Sequence, residues 1–169
     1  MIRHAITRGD LPMRHADVLH LRAKDLEAAD LLRRARRLRE HWSGILLIND
    51  RIDVCLASGA DGVHLPSHRI APRRIKECFG QQLIIGASCH SIEEALQAEA
   101  EGADYVYLSP IFEKPGYVPP LGLQALAIAS ELLRIPVIAL GGITSANEDS
   151  CTAAGAKGIA GISYFQSPI

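Results

Sequence analysis

Apolar residues follow two alternating patterns along this chain. Short runs of Val, Ile and Leu recur, and between them lie longer stretches in which apolar positions return every three or four residues. The first pattern predicts strands at Arg3–Thr7, Asp17–Leu21, Ile45–Asn49, Gly62–Leu65, Leu83–Ala87, Tyr105–Leu108, Pro136–Leu140 and Gly158–Ile162. The second predicts helices, most clearly from about Asp25 to Trp42, where Leu26, Ala29, Leu32, Ala35, Leu38 and Trp42 form one stripe. Further helices are expected over Ile52–Ser58, Ala71–Phe79, Ile92–Ala100, Leu123–Leu133 and Ala146–Ala153, and Ser91 with Glu94 forms a capping-box pattern.

The strands are apolar at nearly every position, as expected where both faces of a parallel sheet are covered. Their alternation with helices predicts an α/β fold. Gly59-Ala60-Asp61-Gly62-Val63, Gly102-Ala103-Asp104-Tyr105-Val106 and Gly155-Ala156-Lys157-Gly158-Ile159 each close a helix with Gly and open a strand. Eight such units make a parallel (β/α)8 TIM barrel, usually about 250 residues long. This chain has 169 residues and is expected to form one domain, 1–169. Only Arg8 to His15 separates the first two strands and only Tyr164 to Ile169 follows the last, so the first and eighth outer helices are expected to be missing. Their loss would bare the barrel wall at Ile2–Thr7 and Gly158–Ile162, with Tyr164-Phe165 folding over part of it, which predicts a two-fold homodimer; shielding by the Arg8–His15 and Tyr164–Ile169 segments alone would instead give a monomer.

Hydrophobic residues make up 48% and charged residues 22%, enough apolar surface for a core and no basis for disorder. With 18 Lys plus Arg against 19 Asp plus Glu, the net charge of -1 argues against a nucleic-acid binder, so any anion site must be local. Arg33, Arg34, Arg36, Arg37 and Arg39 read as a solvated helix face among Glu27, Asp30 and Glu40. No apolar run approaches the ~20 residues of a membrane span. Met1–Thr7 lacks the marks of a secretory signal, so a cytoplasmic protein is expected. Cys55, Cys78, Cys89 and Cys151 lack metal-site spacing and read as reduced thiols.

A barrel gathers its chemistry at the C-terminal strand ends and commonly holds phosphate after strands seven and eight. Those ends carry Gly141-Gly142 and Gly161-Ile162-Ser163, whose backbone amides and hydroxyl suit a phosphate; the plainer alternative is tight turns. Elsewhere in the ring, Arg22 and Lys24 suit a second anion, and Asn49 and Asp50 offer oxygens for Mg2+ on a diphosphate. The alternatives are a helix cap at Asp50, a surface lysine at Lys24 and a satisfied core imidazole at His20. Cys89 and His90 read as structural, because neighbouring side chains in extended chain point apart.

The motifs His4-Ala5-Ile6-Thr7, His20-Leu21-Arg22-Ala23-Lys24, Leu47-Ile48-Asn49-Asp50-Arg51, Ala60-Asp61-Gly62-Val63-His64-Leu65, Gly86-Ala87-Ser88-Cys89-His90-Ser91, Ser109-Pro110-Ile111-Phe112, Pro120-Leu121-Gly122-Leu123 and Ala139-Leu140-Gly141-Gly142-Ile143-Thr144 occur in order. Over nearly the whole chain this series resembles the thiamine phosphate synthase and TenI superfamily. The resemblance implies a barrel enzyme that joins a pyrimidine methyl diphosphate to a thiazole phosphate, or, in the TenI branch, a tautomerase acting on the thiazole phosphate. It implies that His20, Arg22, Lys24 and Asn49 face the diphosphate and pyrimidine, that Asp50 holds Mg2+ when a diphosphate is bound, and that Ser88 and Lys114 are the catalytic candidates. Gly141, Gly142, Gly161, Ile162 and Ser163 would then bind the thiazole phosphate. The chain departs from the synthase pattern at Pro66-Ser67-His68-Arg69, where a second metal-binding Asp is usual, and in the short Glu113–Tyr117 loop. It departs from the tautomerase pattern at Ser109-Pro110, where a Gly-His pair is usual. A member that binds ligand or a partner protein without turnover is the third reading.

Overall fold

Eight parallel strands follow one another in chain order around a closed barrel. They are β1 (Ile2–Thr7), β2 (Val18–Leu21), β3 (Ile45–Asn49), β4 (Gly62–Leu65), β5 (Ile84–Cys89), β6 (Tyr105–Leu108), β7 (Val137–Leu140) and β8 (Gly158–Gly161). β8 closes the ring by pairing with β1, Ala5 beside Gly161. The computed structural model describes residues 1–9, 15–67, 70–113 and 118–166. Among the described residues six helices lie between successive strands: α1 (Ala28–His41), α2 (Ile52–Ser58), α3 (Pro72–Phe79), α4 (Ile92–Ala100), α5 (Gly122–Leu132) and α6 (Glu148–Ala153). None of the described helices is long and apolar enough to cross a membrane.

The repeated glycines close their helices as expected: Gly59, Gly102 and Gly155 all take positive φ. Ser91 caps α4 by accepting from the Glu94 N–H, while the Glu94 carboxylate reaches one residue further back, to the His90 N–H. β5 runs to Cys89, two residues past its expected end, because Ser88 and Cys89 pair with Tyr107 and Leu108 of β6. A Ser-Cys pair carries no apolar signal, so the pattern stops short there.

The outer strand faces are apolar, as predicted. Leu19, Leu46, Ile48, Val63 and Ile85 pack with Leu31, Ala35, Leu38, Val54 and Ile75 of α1 to α3, and a second cluster joins Val106, Leu108, Val137 and Ile159 to Ala95, Leu126 and Cys151. The inner face differs from that expectation. Ile6, Val18, Leu47, Ile138 and Ala160 share the lumen with Tyr105 and Tyr107, and the rings of His4, His20 and His64 pack against the same tyrosines. The Tyr105 phenol fits because the neighbouring strand carries glycine: a Cβ on Gly86 would sit 2.0 Å from its ring.

The start of each odd strand through β5 is held by an aspartate. Asp17, Asp61 and Asp104 accept in their side chains from the N–H groups of Arg3, Leu46 and Ile85, at 2.7–2.8 Å. Their own N–H groups donate back to the carbonyls of those same residues. Arg39 pairs with Asp61 and Lys76 with Asp104. In the fourth quarter the backbone bond persists, from Lys157 to Val137, but Lys supplies no carboxylate. The arginines of α1 are partly structural for the same reason: Arg34 donates to the Arg8 carbonyl, Arg36 to that of Ala57 and Arg39 to that of Gly44.

The wall between β1 and β8 is covered from within the chain, which corrects the expectation of a bare surface. After β8 a short 3-10 turn, Ser163–Phe165, folds back, leaving Phe165 only 3% exposed and Ala5 and Ile159 fully buried. Tyr164 bridges both outer clusters and holds Arg3 and Glu148 together, accepting from the first and donating to the second. A bare β1–β8 wall therefore supplies no reason for a dimer.

Two outcomes follow from this packing. Gly86→Ala should destabilise the protein by about 3 kcal/mol, because Tyr105 has no space to retreat, as read by urea denaturation. Phe165→Asp should lower the thermal midpoint by the same amount at every protein concentration; a fall confined to dilute protein would restore the dimer.

Candidate active site

The mouth of the barrel is built where strands end in polar residues. Lys24, Asn49, Asp50 and Arg51 line one cleft of about 290 Å³, floored by Ala23, Leu26 and Leu31. Asp50 holds a left-handed backbone, φ 60°, a conformation Asp tolerates through local hydrogen bonding, and its N–H donates to the His64 carbonyl. β3 and β4 are thus tied together at the residue proposed for a metal. α2 starts after Arg51, whose guanidinium is paired with Asp53. Arg22 is exposed beyond β2, its N–H donating to the Thr7 carbonyl, and does not line the cleft.

Ser88 lies on the other side of Pro66, lining a second cavity of about 420 Å³ with Leu65, Ser67 and Glu94. Pro66 borders both spaces, so the two adjoin at the turn after β4. Beneath Ser88 the lumen carries buried polar rings. His64 Nε2 lies 2.9 Å from Ser88 Oγ and His64 Nδ1 lies 2.8 Å from the Tyr105 hydroxyl. His4 Nδ1 meets the Tyr107 hydroxyl at 3.0 Å. His20 is 1% exposed, and among the described residues neither of its ring nitrogens has a hydrogen-bond partner. It is a core imidazole, as the plainer reading held, but an unsatisfied one. Asn49 influences its protonation without reaching hydrogen-bond geometry.

Burial holds all three imidazoles neutral. It lowers His4 to about 4 and His20 to about 3, with His4 and Arg22 adding to the second effect. Burial, with His20 and His4 nearby, sets His64 well below the ordinary range. The same burial pushes Cys89 up to about 12, and the neighbouring His90 Nδ1 faces the Ser109 carbonyl, so this pair has no thiolate chemistry.

At the far side, Gly141 and Gly142 both take positive φ, and a Cβ on either would lie 2.8 Å from Pro110 or Phe112. The loop after β6 therefore lies directly on the end of β7, Phe112 donating to the Gly141 carbonyl. Tight packing is one reason for these glycines. Their own N–H groups donate to no backbone carbonyl among the described residues. Ser163 lines a third cavity, of about 520 Å³, with Thr144, Ser145, Arg3 and His15, and Gly161 leaves room for Tyr164 to fold over β8. Lys114, His68 and Arg69 lie outside the described residues.

The thiamine monophosphate synthase family model matches residues 7–165. The chain belongs to that family. A thiamine-phosphate synthase from Methanoculleus marisnigri is 43% identical over 154 residues, covering 88% of this chain and 73% of the relative. One from Chlorobium phaeovibrioides is 43% identical over 157 residues, covering 88% and 74%. Among solved structures, thiamine phosphate pyrophosphorylase from Pyrococcus furiosus superposes with a TM-score of 0.83 at 33% identity, over 96% of this chain and 85% of that one.

Within this synthase-family barrel the residues that sequence reasoning passed over are His4, His64, Tyr105 and Tyr107. Their signal was present: each alternates with an apolar or small residue within its strand, which places it on the inner face. The buried imidazoles also set an acid limit. Because their folded pKa values lie below the unfolded value of about 6.5, the unfolded chain takes up protons first, and stability falls as pH drops through 6.5 toward 4. His4 and His20 should each cost about 2 kcal/mol by pH 5. His20→Leu should therefore flatten the fall of the thermal midpoint between pH 7 and pH 5.

Proposed function

We propose that this protein joins a pyrimidine methyl diphosphate to a thiazole phosphate and releases diphosphate, as a cytoplasmic biosynthetic enzyme. The observation that carries this reading is the cleft gathering Lys24, Asn49 and Asp50 at the ends of β2 and β3. It sits in a family whose named members include the thiamine-phosphate synthases.

In this reading Lys24 and Arg22 hold the diphosphate, Lys24 as a compact charge and Arg22 as a fork that swings in from the exposed end of β2. Asn49 faces the pyrimidine end, while His20, buried in the lumen, makes no contact with substrate. Breaking the bond between the methylene carbon and the diphosphate oxygen leaves positive charge on the pyrimidine and negative charge on the leaving group. Lys24 and Arg22 stabilise the latter. Gly141, Gly142, Gly161, Ile162 and Ser163 hold the thiazole phosphate, so that the ring nitrogen waits to donate its electron pair to the methylene carbon. Ser88 lies beside the pyrimidine, and Lys114 is assigned to the same step. Among the described residues that line the cleft Asp50 is the one carboxylate, and with Asn49 it would suit a magnesium ion held mainly by the diphosphate. When bound, that ion neutralises the departing diphosphate.

Incubation with both substrates and Mg2+ should give thiamine phosphate and diphosphate in equal amounts. Thiazole phosphate binding in calorimetry without product would instead favour the ligand-binding reading, to which Pro66-Ser67 in place of the usual acidic turn lends its support. Asp50→Asn should raise the Mg2+ concentration for half-maximal rate at least about tenfold. Lys24→Ala should raise KM for the diphosphate substrate more than for the thiazole phosphate. Mg2+ should bind tightly only with a diphosphate present, and tight binding to the protein alone in calorimetry would contradict a single-carboxylate site.

A further inference from the structure

Ser88, His64 and Tyr105 form a hydrogen-bonded line from the barrel mouth into its lumen, with contacts of 2.9 and 2.8 Å. The order looks like that of a hydrolase triad, in which a carboxylate accepts from one imidazole nitrogen and so leaves the other free to take a serine proton. Here the third member is a phenol. Tyr105 is 5% exposed, and burial holds its hydroxyl far from ionisation. A buried phenol hydrogen must find an acceptor; Tyr105 has two, the Tyr107 hydroxyl oxygen with which it also interacts and the neutral imidazole nitrogen at 2.8 Å, and the imidazole nitrogen is the stronger. If Nδ1 accepts, the hydrogen of a neutral His64 resides on Nε2 and is donated to Ser88 Oγ.

We infer that His64 is a positioning residue, fixed by Tyr105 in its Nε2–H form, that holds Ser88 with its own hydroxyl hydrogen turned away from the imidazole and toward the substrate. The line is wired in the direction opposite to a nucleophilic triad. His64 cannot accept the Ser88 proton, and Ser88 serves as a hydrogen-bond donor to the pyrimidine diphosphate, not as a nucleophile or base. The packing enforces this placement. His64 is stacked on Tyr107 at 4.0 Å between ring centroids, and Gly86 leaves space for the Tyr105 ring alone. The donor role of Ser88 rests on the synthase reading; the tautomer of His64 does not.

Two-bond 1H–15N NMR on the full chain reads the tautomer directly, the His64 signals among the seven histidines being identified by their loss in His64→Gln. The hydrogen is expected on Nε2, and Tyr105→Phe is expected to mix the two tautomers. A hydrogen on Nδ1 in the wild-type protein overturns the inference whatever the kinetics show. In turnover, Ser88→Ala and His64→Leu should each lower kcat by about tenfold with little change in KM, while His64→Gln, whose amide N–H can replace Nε2–H, should retain most of the rate. Loss of kcat in Ser88→Ala with none in a folded His64→Leu overturns the positioning role alone. If the wild type turns over and Ser88→Ala matches it, the placement of Ser88 in the site fails; if the wild type makes no product, the synthase reading fails while the tautomer is still decided by NMR.

Discussion

Two tyrosine rings must fit inside a barrel of eight strands, and much of the structure accommodates them. Tyr105 and Tyr107 come from one strand, and Tyr105 fills space that the glycine at position 86 leaves open across the ladder. Their hydroxyls would be costly in an apolar lumen, and each finds an imidazole nitrogen, on His64 and His4. The imidazoles in turn are kept neutral by the burial that the tyrosines complete. Removing any member leaves another polar atom buried without a partner, which makes this a network whose parts stand or fall together.

The outside of the barrel obeys a different rule. Aspartates at the starts of β2, β4 and β6 exchange hydrogen bonds with the first residues of the preceding odd strands, so the barrel is latched in two-strand steps. The repeat fails where Lys157 replaces the acid, and there the chain uses another closure. Arg3, Glu148 and Tyr164 join β1, α6 and the turn after β8. This closure lets the short C-terminal turn cover the wall with Phe165.

Most of the architecture was legible because it depends on patterns that repeat. Apolar runs placed all eight strands, and Gly59, Gly102 and Gly155 marked helix ends. The Gly-Ala-Asp repeat was read for its glycine, yet its aspartate holds a strand start, a role that depends on a partner some fifteen or more residues away in Arg39 to Asp61 or Ile85 to Asp104. The cleft with Lys24, Asn49 and Asp50 was legible because all three follow strand ends. The polar lumen was not, since His and Tyr inside otherwise apolar strands look like scattered interruptions until alternation assigns them to one face. Between a bare β1–β8 wall and one covered by Tyr164-Phe165, length alone could not choose, and the burial of Phe165 favours the second.

The uncharged lumen has an electrical consequence. Rings that stay neutral form a poorly polarisable floor beneath the strand ends, and the charges of Lys24 and Arg22 face water on one side only. Field lines from such cations are displaced away from the low-dielectric body and spread into the solution above the mouth. A protein with almost no net charge can in this way present a local attraction for a multiply charged anion.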